Sequence, residues 1–221
     1  FKPAGGNISF TKTGVSSQGL NINVAGAAAS SGQVVISTQA AGQDIRFEAD
    51  AGGGNCIMHI DDNDERVAIG GNLTTPTTTL DVKGSFRTEP VTLEATDAIT
   101  AAEHAGRILF LGEPGGNADV VLTLPDATGT GNVYEFIVTV SMSSNTYKIA
   151  CPDADNTITG QIQYLDEDGT GAQSFPTVSA SDTITLNGGT QGGLVGDTLT
   201  LIDIAANKWM VKGLMRVAAG A

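Results

Sequence analysis

The stretch from Val120 to Val140, VVLTLPDATGTGNVYEFIVTV, decides how the chain is read. Taken in steps of two, Val120, Leu122 and Leu124 face one way, while Val121, Thr123 and Pro125 face the other. Pro125, Asp126, Gly129 and Gly131 then supply turn chemistry before a second run rich in β-branched and aromatic residues. Two such runs around a Gly/Pro/Asp turn predict a β-hairpin. The second run is interrupted only by Glu135 and Thr139, which predicts a strand buried on both faces.

Working outward, the 221 residues suffice for one large β domain or two modest ones. Glycine occurs 29 times and charged residues make up only 16%, so the chain is cut into many short runs, the mark of an all-β protein. The net charge of −13, with 11 Lys and Arg and no basic cluster, excludes a nucleic-acid partner, whose phosphates would be repelled. Strong acidity instead favours solubility at high local density. Cys56 and Cys151 match no metal or disulfide framework and read as reduced, part-buried thiols. No apolar run approaches the roughly 20 residues of a membrane span, and no signal-peptide core follows Phe1, so membrane insertion is not expected.

Residues 1–88 form a series of short runs: ISF, LNINV, VVI, IRFEA, IMHI, VAI and LDV. They start at positions 8, 20, 34, 45, 57, 67 and 80, a loose spacing of 10–14 residues. Each carries only two or three apolar side chains, too few to bury a core alone. Repeated thin units solve this by stacking or by sharing a core between chains. The segment is therefore expected to be a slender β stalk completed by oligomerisation, with Ile45, Phe47, Met58, Ile60, Val67, Ile69, Leu80 and Val82 in the shared core.

Within it, DNDERVAIGGNLTTPTTTLDVKGSFRT (62–88) resembles a repeat of bacteriophage fibre proteins: an acidic turn, Arg-Val-Gly-Ile-Gly, a Thr/Ser-Pro turn, then Leu-Asp-Val-x-Gly. Arg66, Val67, Ile69, Gly70, Pro76, Leu80, Asp81, Val82 and Gly84 match it, whereas Ala68 replaces a glycine and Gly71-Asn72-Leu73 lengthens the turn. The resemblance implies a trimeric stalk.

Residues 89–106 read as a connector. Val91-Thr92-Leu93 is a possible strand, and Thr100-Ala101-Ala102-Glu103 a capping box opening a short helix that Gly106 stops. From 107 to 221 the runs lengthen: RILFL, VVLTL, VYEFIVTV, TYKIAC, TITGQIQYL, DTITL, DTLTLIDI and KWMVKGLMRV. Eight strands with Gly-rich turns predict an antiparallel β-sandwich or jelly-roll-like head, with Ala205-Ala206-Asn207 as a tight connection and Trp209 as core anchor. The pieces LTLPDATGTG, SDTITLNG and GDTLTLIDIAANKW, within residues 103–213, resemble a C-terminal domain of structural proteins of tailed phages, which implies a virion component and no particular chemistry.

Catalytic, cofactor and metal sites are not expected. The acidic clusters Asp61–Glu65 and Asp166–Gly169 lack an EF-hand's ligand spacing and read as solvated turns. His59 and His104 have neither a nucleophile elbow nor a second histidine at metal spacing. Gly188–Asp197 has no following helix and no Lys, so it is a tight or flexible loop and not a P-loop. A hydrolase would need two carboxylates meeting in a groove.

The sequence thus leads to a non-enzymatic phage structural protein. It is expected to be a homotrimer at the virion surface, assembled in the host cytoplasm and bound to the major capsid protein or another virion protein. Capsid decoration or a head fibre fits its acidity and its 5% aromatic content better than a tail fibre that contacts a host receptor. An exposed Tyr134, Tyr147, Tyr164 or Trp209 in a head pocket would favour the receptor-binding alternative.

Overall fold

The computed structural model describes residues 44–48, 56–61, 63–70, 76–114, 119–166 and 171–218, nearly all of them in strands and the turns between them. They belong to two compact units divided between Phe86 and Arg87. The runs ISF, LNINV and VVI lie outside the described residues.

In the first unit, β1 (Ile45–Glu48), β2 (Cys56–Asp61), β3 (Arg66–Ile69) and β4 (Leu80–Val82) form one sheet in that order. The first two pairings are antiparallel and β3–β4 is parallel. The acidic turn is held by its own residues: the Asp61 carboxylate accepts from the N–H groups of Asn63 and Asp64. Arg66 donates to Asp64 and to the Pro76 carbonyl, and Thr77 donates its N–H and hydroxyl to Asp81. These bonds hold the turns on either side of the paired Val67–Ile69 and Leu80–Val82.

The second unit contains β5 (Val91–Leu93), β6 (Asp97–Ala98), α1 (Ala101–His104), β7 (Ile108–Leu111), β8 (Val120–Thr123), β9 (Val133–Val138), β10 (Tyr147–Ala150), β11 (Thr157–Asp166), β12 (Ala172–Pro176), β13 (Thr183–Leu186), β14 (Thr198–Ala205) and β15 (Lys208–Val217). Residues 89–106 are therefore not a separate connector: β5, β6 and α1 are built into this unit. The capping box forms, with Thr100 Oγ1 accepting from the Glu103 N–H. The reciprocal bond comes from a different residue, because the Thr100 N–H donates to Nδ1 of the buried His104.

Two sheets share one core, with strand orders β13-β10-β8-β6 and β12-β11-β15-β14-β9-β7-β5. From β5 to β11 the chain changes sheet at every strand. Alternate strands consequently become neighbours, and the pairs β5–β7, β7–β9, β6–β8, β8–β10 and β11–β15 are parallel. The expected antiparallel jelly roll is corrected to mixed sheets built on stacked arches. The expected hairpin is corrected with it: β8 lies in one sheet and β9 in the other, facing each other across the core.

That geometry also explains the burial of Val133–Val138. Tyr134, Phe136 and Val138 are buried while Val133 and Glu135 are exposed, so the strand is covered on one face and not on two. Like side chains stack along the sheets, as in the columns Val91–Leu109–Phe136–Leu199 and Leu122–Ile149–Ile184. Trp209 is fully buried and packs edge-on against Tyr134, with ring centroids 5.5 Å apart. The buried Tyr147 hydroxyl crosses between sheets to donate to the Leu93 carbonyl at 2.7 Å. Each large side chain buried this way contributes roughly 1.5–3 kcal/mol.

Two buried carboxylates hold the loops at the ends of β14. Asp203 accepts from the N–H groups of Thr128, Gly129 and Thr130 and from the hydroxyls of Thr128 and Thr130, pinning the turn between β8 and β9. Asp197 accepts from the N–H groups of Gly193, Leu194 and Arg216, folding the Gly-rich loop back on itself. Gly188 in that loop has φ +70°, and a Cβ there would collide with the Met142 carbonyl, so the loop is tightly turned.

Burial pushes the Asp203 carboxyl up, but the donated hydrogen bonds outweigh it and hold the group at about 2, below its ordinary 3.8. A depressed folded value means stability that is present above the unfolded value and is lost as pH falls through the folded one. We expect Asp203 to contribute roughly 2 kcal/mol at neutral pH, lost between about pH 4 and 2. Trp209 is the sole tryptophan, so its fluorescence reports this unit alone. In urea titrations followed by that signal, Asp203→Ala should lower stability at pH 7 by about 3 kcal/mol, because three N–H donors lose their acceptor. Its stability should also fall less steeply below pH 4 than that of the unchanged chain.

Candidate functional site

Strand register places all eight residues expected in the shared core on one face of the first unit's sheet. Ile45, Ile60, Val67 and Leu80 lie opposite one another in one row; Phe47, Met58, Ile69 and Val82 form the next. The period-2 pleat puts both rows on the same side. None of the eight is buried. Phe47 is 47% exposed, Ile69 41% and Leu80 54%, and the other five are half-buried.

The opposite face differs. His59 and Ala68, paired across β2 and β3, are 1% and 2% exposed, and His59 Nε2 lies 2.8 Å from an Asp44 carboxylate oxygen. On that face Ile57 is 53% exposed, so the burial described there is that of His59 and Ala68, whereas the other face carries two apolar rows with no member buried. Open contiguous apolar surface of this kind marks an interaction site.

The remaining candidates divide clearly. His104 is buried as a helix-capping group, with Nε2 3.9 Å from Asp97. The acidic turn at Asp61 spends its carboxylate on backbone N–H groups, and among the described residues no group of three or more His, Cys, Asp or Glu side chains could hold a metal ion. Asp166 ends β11, and residues 167–170 lie outside the described set.

Of the aromatics considered for a head pocket, Tyr134, Tyr147 and Trp209 are fully buried, and burial first, then Glu94 and Glu113, pushes the Tyr147 hydroxyl up to about 12. Tyr164 is only half-buried. It packs edge-on against the exposed Phe175, with centroids 4.9 Å apart, beside a cavity of about 170 Å³. Phe175 belongs to β12, AQSFP, which shows no apolar alternation and gave no strand signal. Only its pairing with β11 makes it one.

No known protein family, curated protein or solved structure matches the chain.

The Cys151 thiol is half-buried, and desolvation followed by the charges of Asp182 and Asp153 pushes it up to about 11. The thiolate is the reactive form. At pH 8 we expect iodoacetamide to label Cys151 roughly 100-fold more slowly in the folded chain than in urea, from the lower thiolate fraction. Peptide mass spectrometry resolves this site from Cys56.

Proposed function

We propose that this chain is a non-enzymatic structural protein of a tailed-phage virion, a homotrimer whose first unit associates through the open apolar face and whose second unit is carried as a head. The carrying observation is that face: eight apolar side chains in two cross-strand rows, with none buried. Three copies meeting there would remove the rows from water and complete a core that one chain lacks. The resemblance of residues 62–88 to a fibre repeat, and of residues 103–213 to a domain of phage structural proteins, supports the setting. The charge of −13 fits a coat of high surface density. Capsid decoration or a head fibre bound to the major capsid protein is the favoured role.

A second reading, a fibre head that contacts the host surface, is favoured by one observation, the Tyr164–Phe175 pair beside a cavity.

Two experiments test the proposal. Phe47→Ser and Ile69→Ser should each shift the chain from trimer towards monomer in sedimentation equilibrium, while the urea midpoint of Trp209 fluorescence stays unchanged. A variant that remains trimeric rules out the face as the contact. Fitting the chain to cryo-electron density of intact particles should place it at threefold or quasi-threefold positions of the shell; density confined to the tail would favour the second reading, and absence from the particle would refute both.

A further inference from the structure

The seven-stranded sheet extends beyond the four-stranded one that covers it. At this end, Ile162 of β11 lies opposite Phe175 of β12, and Tyr164 opposite Gln173, so all four share the core-facing side of the sheet. Ile162 is buried, but Phe175 is 52% exposed. The Tyr164–Phe175 pair stands between two cavities of about 170 and 230 Å³, each lined by both rings. The pair forms an aromatic ridge, and the cavities form one groove on either side of it.

The lining has a definite chemistry. Gln173 and Thr190 line the first cavity; Ser181, Thr183 and Gln191 line the second. Among the described residues, Asp166 is the only charged one in either cavity, and neither contains Lys or Arg. A phosphate, sulfate or carboxylate would meet a carboxylate and no cation, so anionic ligands are disfavoured. An apolar ligand would use none of the hydroxyls and amides that line the two cavities. Hydroxyls and amides grouped around one exposed and one half-buried aromatic ring suit a ligand with apolar C–H faces and a rim of neutral hydroxyls.

The geometry points to a neutral oligosaccharide site, with adjacent sugar rings on either side of the Tyr164–Phe175 ridge, hydrogen-bonded by Gln173 on one side and by Ser181 and Gln191 on the other. This site deepens the second reading above and rests on it for its biological role, but not on the oligomer face. Tyr164 is the anchored partner of the pair and Phe175 the exposed one, so Phe175 supplies the surface on which a ring stacks.

The test is saturation-transfer NMR on the full chain with a panel of neutral tetrasaccharides, namely gluco-, manno-, galacto- and N-acetylglucosamine oligomers, alongside sialylated and phosphorylated sugars. We expect transfer to at least one neutral member, and a dissociation constant raised about tenfold or more in Phe175→Ala, the loss of one aromatic anchor. Gln173→Ala should weaken the same ligand, and Val178→Ser, an exposed position outside both cavities, should leave it unchanged. Trp209 fluorescence verifies that each variant is folded. Transfer to no neutral sugar, transfer only to the anionic members, or equal binding by Phe175→Ala overturns the site. Sedimentation of the same samples separates the two readings: a trimer that binds no sugar loses this site alone, and a monomer that binds sugar loses the shared-core proposal alone.

Discussion

Strands that place their apolar side chains on one face oblige that face to find cover, and both units of this chain answer to that constraint. In the second unit the cover is internal. The chain changes sheet at each strand from β5 to β11, so successive apolar faces meet across a common core instead of pairing edge to edge. In the first unit the sheet buries His59 and Ala68 on one face and leaves the eight apolar side chains of the other unburied. Our functional proposal follows from this difference: what the second unit achieves with a second sheet, the first would achieve with further copies of itself.

The arches bring a cost that the polar residues offset. An arch turn leaves N–H groups inside the unit without the ladder partners that a hairpin provides, and buried donors must be satisfied. Asp203 and Asp197 do so from opposite ends of β14, each collecting several backbone donors. Their environments differ in outcome. Five donated hydrogen bonds win over burial at Asp203, whereas at Asp197 burial wins over the N–H groups of Leu194, Gly193 and Arg216, and its carboxyl lies above the ordinary value. Asp203 therefore favours the folded state above acid pH, whereas burial of Asp197 works against its ionised form.

Much of the strand content was legible because alternation is local. Lys208–Val217 reads KWMVKGLMRV, and Trp209, Val211 and Met215 are its buried positions. The eight residues of the open face were legible for the same reason, since they stand two apart within each strand. Partner choice was not. Val120–Leu124 and Tyr134–Val138 carry the same alternation whether they pair in a hairpin or face each other in an arch, and the nine-residue turn between them hides its anchor 73–75 residues away in Asp203. A signal for that anchor does exist: Leu199 and Leu201 point inward, and Asp203 continues their phase, so an acid sits where the pattern calls for an apolar residue. The exposed strand β12 gave no such signal, because only pairing with β11 defines it.

The open face makes the most direct demand on the account, and native mass spectrometry of the unmodified 221-residue chain addresses it. Burial of the two apolar rows by copies of the chain predicts a dominant species of three times 22.5 kDa that persists on dilution to nanomolar concentration. A chain that stays monomeric at all concentrations, with the first unit folded, would contradict it.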